Sequence, residues 1–203
     1  MAHHPDVTLA ILAGGQGLRL GGVVKGLLEY EGRPLIARVL ELRDRFADTC
    51  IVADDEAPWI PFGARVVPDR AKHRGAPGGL DAALASAATP WILLVACDMP
   101  WVRRDVVEGL LDRRDDATAW VCAERSGFLE PMPGVYATSM RSAVESALPG
   151  NPSMQQVLRA SQGRAVPIAE LAADDPELRS WASVNTLQDA ARLGIALPGR
   201  AHG

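Results

Sequence analysis

The sequence predicts an α/β protein, a three-layer α/β/α sandwich built around a Rossmann-like, mainly parallel sheet. Three observations predict it. Solid apolar runs at 7–13 and 91–97 stop at glycine or aspartate without alternating with polar residues, as strands buried on both faces do. Stretches with apolar residues at helical spacing lie between such runs, which is the pattern of crossover connections. The polar and glycine-rich segments follow the runs directly, where parallel sheets hold ligands outside the carboxyl ends of their strands.

In chain order, residues 7–13 form the first strand and end in Gly14-Gly15. Pro34 opens a helix whose apolar residues Leu35, Ile36, Val39, Leu40, Leu42 and Phe46 recur at helical spacing, with proline placed for a first turn. Residues 50–53 and 64–67 read as the second and third strands. The alanine- and leucine-rich stretch 78–88 reads as a helix. Residues 91–97 are the strongest strand, ending at Asp98, and a helix around 106–111 precedes a strand over 117–123. In the second half, 130–136 reads as strand and 139–148 as helix, and Ser153 is a cap for a helix over 154–160. Val166-Pro167-Ile168 is a short edge strand, Thr186 caps a closing helix to Leu193, and Pro198 begins a frayed tail. No repeat or linker divides the sequence, so 1–203 reads as one domain.

Composition bounds the function. With 48% hydrophobic and 23% charged residues, the chain has the makings of a globular protein with a substantial core. A net charge of −4 argues against nucleic acid as a partner, because such binders present a basic face to phosphates. No apolar stretch is long enough to span a membrane, and no charged-then-apolar leader opens the chain, so the cytoplasm is the expected compartment. Cys50, Cys97 and Cys122 form no C-x-x-C pair, which excludes a zinc or dithiol motif; each lies in or beside an apolar run and reads as a buried thiol. His3, His4 and His202 are terminal and His73 lies in a basic loop, so nothing indicates a Ser/His/Asp apparatus.

The stretch after the first strand is the most informative. Six glycines fall among the thirteen residues from Gly14 to Gly26, with Arg19 and Lys25 among them. Successive backbone N–H groups in such a loop make a concave anion site, and the two cations add formal positive charge. A polyphosphate meets these requirements. The phosphate-loop pattern G-x-x-x-x-G-K-[ST] fails because Val24 precedes Lys25 and Gly26 follows it. The dinucleotide pattern G-x-G-x-x-G fails because its third position, counted from Gly15 and Gly17, falls on Leu20.

Leu12-Ala13-Gly14-Gly15-x-Gly17-x-Arg19-Leu20-Gly21-Gly22, followed by Lys25, resembles the signature of the nucleoside-triphosphate transferase superfamily. Within it, Lys25-Gly26-Leu27-Leu28-Glu29 with Gly32-Arg33-Pro34-Leu35 is most similar to the molybdenum cofactor guanylyltransferases. The resemblance spans about residues 9–193 and implies the nucleotide-diphospho-sugar transferase type of sheet. It also implies that Leu12, Ala13, Gly14, Gly15, Gly17 and Lys25 bind the nucleotide, while Arg19 and Lys25 neutralise charge as pyrophosphate departs. Val24 stands where many members carry an acidic residue.

The other two strand exits carry further matches. Asp69 follows Val66-Val67-Pro68, and Gly75-Ala76-Pro77-Gly78-Gly79-Leu80 comes soon after. The resemblance assigns Asp69 and Gly78 to the nucleotide pocket, although Ala76-Pro77 departs from the usual order. From the residues alone, Gly78-Gly79 before an alanine-rich helix lets its N-terminus approach a ligand, or simply forms a helix-entry loop. Arg65, Arg70, Lys72, His73 and Arg74 make a local basic patch, open to either an anionic acceptor or solvent. Asp98, at the end of a buried strand, is placed as an exposed carboxylate in the cleft and suited to hold Mg²⁺, which favours carboxylate plus phosphate oxygens. Its bland alternative is a cap for a helix from Val102 onward. Ala96-Cys97-Asp98-Met99-Pro100 also resembles the metal-binding signature of the superfamily, and Ser183-Val184-Asn185-Thr186 its N-V-N-T segment beside the metal and acceptor, with Ser183 replacing an asparagine. Glu130-Pro131 matches more loosely a polar residue near the acceptor.

Taken together, the resemblance implies a nucleotidyltransferase. An acceptor phosphate attacks the α-phosphorus of GTP, GMP passes to a molybdopterin-type phosphorylated acceptor, and pyrophosphate leaves. A molybdoenzyme or another protein of cofactor biosynthesis is the implied partner. A cytidylyltransferase on the same cofactor and a sugar-phosphate nucleotidyltransferase share these motifs. A non-catalytic homologue that binds nucleotide or cofactor is the alternative of a different class.

Overall fold

A computed structural model describes residues 3–14, 23–71, 74–173 and 175–198. The elements follow in the order β1 (His4–Leu12), β2 (Glu29–Tyr30), β3 (Arg33–Pro34), α1 (Leu35–Val39), β4 (Phe46–Val52), β5 (Arg65–Val67), α2 (Gly75–Ser86), β6 (Trp91–Ala96), α3 (Arg104–Leu111), β7 (Trp120–Arg125), β8 (Phe128–Ala137), α4 (Arg141–Ala147), α5 (Met154–Arg159), β9 (Arg164–Pro167), α6 (Ile168–Leu171), α7 (Leu187–Arg192) and β10 (Ile195–Ala196).

Seven strands make one sheet in the order β5-β4-β1-β6-β8-β7-β9. Only β8 runs against its neighbours β6 and β7; the remaining pairs are parallel. The absence of alternation in β1 is explained by its two covered faces. Val7, Leu9 and Ile11 join one core with residues of α1, α3 and α6, whereas Ala10 joins a second core with residues of α2, α4 and α5. The three-layer expectation therefore holds in detail. Chain order reverses about β1, since β4 and β5 lie to one side and β6 to the other, and this creates a crevice at the carboxyl edge.

Several local expectations are corrected. The helix after Pro34 is short: α1 stops at Val39, a 3₁₀ stretch Leu40–Arg45 follows, and Phe46 already belongs to β4. Pro34 is the residue before the helix, with ψ of 141°, so its fixed φ ends a strand and does not fill the first turn. Helix α2 begins three residues before Gly78, which lies inside its first turns and not in an entry loop. Strands β7 and β8 extend to a two-residue turn, Ser126-Gly127, where both residues have positive φ. A small antiparallel sheet, β10-β2-β3, was not foreseen. It covers a third cluster made by Leu28, Leu35, Val184, Ala190 and Ile195. No helix among the described residues is long and apolar enough to cross a membrane.

Candidate active site

The carboxyl ends of the central strands are laced together beyond the sheet itself. Ala13 N–H donates to Val52 O at 2.9 Å, Ala53 N–H to Val67 O at 3.0 Å, and Cys97 N–H to Leu12 O at 2.9 Å. These bonds fix the three exits that the sequence singles out, after β1, β5 and β6, on one rim.

Lys25 enters this rim from a 3₁₀ turn, Lys25–Leu27. The next residue, Gly26, lies so close to β6 that a Cβ there would stand 3.0 Å from Cys97 Cβ and 3.1 Å from the Trp59 ring. That close approach brings the Lys25 ammonium to the strand end. Lys25 Nζ donates to Asp98 Oδ2 at 3.0 Å and to Asn185 Oδ1 at 2.9 Å. Residues 73 and 160 positions apart in the chain thus meet at one nitrogen.

Asp98 is 5% exposed, and so more enclosed than its expected place in an open cleft. It remains tolerable there because its charge is paired with Lys25. It caps no helix, since α3 begins after Arg103. Asn185 is held from both sides. Its amide nitrogen donates to Ser183 Oγ at 3.0 Å, so the serine in the place of an asparagine still orients it. Its backbone N–H donates to Asp189 Oδ2 at 3.2 Å, within the capping box that Thr186 and Asp189 form at the start of α7. The Thr186 hydrogen bond, with the N–H groups of Asn185 and Thr186, holds the Asp189 carboxyl below its ordinary value.

The structure also joins Leu12, Asp69 and Gly78. Asp69 Oδ1 accepts from Ala71 N–H at 2.9 Å. A Cβ on Gly78 would come within 2.8 Å of Ala71 O and 3.1 Å of Asp69 Oδ1, and one on Gly79 within 2.9 Å of the Leu12 side chain. Both glycines exist because the start of α2 is pressed against the exits of β5 and β1. The basic patch is partly neutralised: Arg65 pairs with Asp48 at 2.6 Å and Arg70 lies 3.9 Å from Asp81. Glu130, on β8, is paired with Arg125 at 3.1 Å. Gly15, Gly17, Arg19, Lys72 and His73 lie outside the described residues.

Among the described residues, no three His, Cys, Asp or Glu come together as a metal cluster. The donor set nonetheless fits a magnesium ion that shares its shell with a nucleotide. Asp98 and Asn185 present two oxygens to the same point, which the Lys25 ammonium marks as a cation position. Trp59 and Asp189 support the site and escaped sequence reading. Asp189 had a signal, the T-x-x-D spacing from Thr186, whereas Trp59 reads as any core aromatic.

Residues 9–166 match the MobA-like NTP transferase domain. The chain belongs to this family. Lys25 and Asp98 lie within the matched span and Asn185 beyond it. A molybdenum cofactor guanylyltransferase from Pseudomonas putida is 33% identical over 189 residues, covering 91% of this chain and 97% of its own length. One from Pseudomonas aeruginosa strain PAO1 is 35% identical over 188 residues, covering 90% of this chain and 91% of its own. The crystal structure of molybdopterin-guanine dinucleotide biosynthesis protein A from Archaeoglobus fulgidus superimposes with a TM-score of 0.79 at 29% identity, over 92% of this chain and 96% of that one. As a MobA-like NTP transferase domain, the chain shares a fold whose strand exits are those described above.

Proposed function

We propose that this protein transfers GMP from GTP to the phosphate of a molybdopterin-type acceptor, with release of pyrophosphate, as a cytoplasmic enzyme. The observation that carries the reading is the meeting of Lys25, Asp98 and Asn185 at the crevice beside β1 and β6. The names borne by relatives of nearly equal length supply the base and the acceptor.

In this reading an acceptor phosphate oxygen forms a bond to the α-phosphorus while the bond to the β-phosphate oxygen breaks, and the electron pair leaves with pyrophosphate. The attacking oxygen is already ionised, so no side chain has to act as nucleophile. Asp98 and Asn185 would hold Mg²⁺, which supplies neutralising charge at the triphosphate. The Lys25 ammonium would donate to phosphate oxygens, and Arg19 would add a second cation. The resemblance gives Leu12, Ala13, Gly14, Gly15 and Gly17 to the nucleotide, and Asp69 and Gly78, which meet beside Leu12, to its pocket. Catalysis is then positioning and charge neutralisation.

The test is product formation from GTP, Mg²⁺ and molybdopterin. The wild-type protein is expected to yield the guanine dinucleotide and pyrophosphate in equal amounts, and Asp98→Ala neither, with its circular dichroism unchanged. Full turnover by Asp98→Ala would remove the metal and catalytic assignment.

A further inference from the structure

Three chain segments bring in the converging side chains: one carries Lys25 into β2, one carries Asp98 toward Trp101, and one leads from Arg179 to Asn185. The same three segments are joined a second time by a stack of rings and guanidinium groups. Tyr30 meets Trp101 edge to face, with centroids 5.3 Å apart and planes at 77°. Arg179 lies over the Trp101 ring at 4.8 Å, and Arg38 over the Tyr30 ring at 4.7 Å. Both arrangements follow the quadrupole of the rings, whose faces attract cations and whose edges attract other faces.

The ends of the stack are tied down. Arg38 Nη2 donates to Tyr30 O at 3.3 Å and to Glu31 Oε2 at 2.7 Å. The Asp175 carboxylate accepts the N–H groups of Arg179 and Ser180 at 2.9 and 2.8 Å. Ser180 Oγ accepts from Arg103 N–H at 3.2 Å and donates to Trp101 O at 3.4 Å. Tyr30 and Trp101 also pack on the third core cluster, which contains Leu28 and Val184, each within three residues of Lys25 or Asn185. Arg179 is itself exposed, and the Trp101 indole N–H is buried without a hydrogen-bond partner among the described residues.

We propose that the Arg179–Trp101–Tyr30 stack is a positioning device that holds the Lys25, Asp98 and Asn185 segments in catalytic register. Its kinetic consequences rest on the proposed function; its structural consequence does not. Arg179→Leu removes the cation from a solvent-facing position, and Trp101→Leu removes the shared ring. Each is expected to lower kcat about tenfold while the KM for GTP stays within about twofold. Arg179→Lys and Trp101→Phe, which keep a cation and a ring, are expected to restore most of the rate. In an Asn185→Ala background, Arg179→Leu is expected to add no further loss, because Arg179 anchors the segment that carries Asn185 and the reacting group of that segment is gone.

A kcat unchanged in both leucine variants, or a loss that multiplies in full with Asn185→Ala, would overturn the proposal. Crystal structures of the two leucine variants decide it independently of turnover. The 2.9 Å contact between Lys25 Nζ and Asn185 Oδ1 is expected to open beyond hydrogen-bond reach, and its retention in both variants would also overturn the device. An inactive wild-type protein would instead count against the proposed reaction and leave the crystallographic arm to judge the stack.

Discussion

Lys25 has a buried counter-ion and an amide oxygen as its partners, and that pairing sets what its removal does. With Lys25 gone, Asp98 remains an enclosed carboxylate without its cation. Lys25→Ala, which also removes a cation from the triphosphate, is expected to lower kcat by about 100-fold or more, whereas Asn185→Ala, which leaves the ion pair, is expected to cost less and to raise the Mg²⁺ requirement. Steady-state rates across a Mg²⁺ series check both; equal losses with no Mg²⁺ dependence in Asn185→Ala would contradict the shared-cation reading. The cysteines make a second residue-scale case. All three are free and buried, burial pushes each thiol up, and Cys122 is pushed up to about 12. Thiolate is the reactive form, so the folded protein is expected to resist thiol-specific reagents at pH 8 and to titrate three thiols once unfolded. Rapid labelling of the native protein would show that the cores open. Residue chemistry was the most legible layer: Lys25, Asp98 and Asn185 are marked by motif and strand position. Trp59, Trp101 and Arg179 are not, because a lone aromatic or surface arginine carries no spacing signal.

Elements owe their placement to contacts that short segments do not advertise. The turn carrying Lys25 sits against β6 only because Gly26 has no side chain. Gly26→Ala is expected to destabilise the protein by about 1–3 kcal/mol, as overpacking does, and to reduce turnover by displacing Lys25. Denaturant unfolding together with kcat measures the two effects; unchanged values of both would show that the turn has room to give. The same reasoning explains where sequence reading missed. Strands β2, β3 and β10 are two residues each, too short for any periodicity, and they exist because Leu28, Val184 and Ile195 need a common cover. The real start of α2 was hidden by its glycines, which tertiary contact demands against their poor helix propensity. By contrast Ser153 and Thr186 were readable as caps, because a capping box is a local pattern, and both boxes are present.

At the scale of the whole molecule, the fold was legible because both faces of the sheet are buried, which leaves solid apolar runs in the sequence. The meeting of the β1 and β6 exits with Asn185 was legible only through the resemblance of residues 183–186 to a segment beside the metal, because packing, not spacing, brings the C-terminal segment back across the rim. That segment is also where acid should act before it reaches the central strands. Burial tends to raise the Asp175 carboxyl, but hydrogen bonds from Ser180 and Arg179 outweigh it and hold it low; Asp189 is held low by Thr186 and its neighbouring N–H groups. A carboxyl lowered in the folded state stabilises above its unfolded value and loses that contribution as pH falls through the folded one. Amide protection over 175–189 is thus expected to be steady from neutrality to about pH 4 and to fall below it, ahead of the central strands. Loss already at pH 6, or simultaneous loss throughout the chain, would contradict this.

The most direct test of the central claim is pyrophosphate release measured with GTP, CTP, ATP and UTP in turn, with Mg²⁺, in the presence and absence of molybdopterin. Release that requires both GTP and the acceptor, and disappears in Asp98→Ala, is the predicted result. Acceptor-dependent release with CTP alone would make the enzyme a cytidylyltransferase. Nucleotide binding without release from any of the four would contradict catalysis and leave a carrier protein.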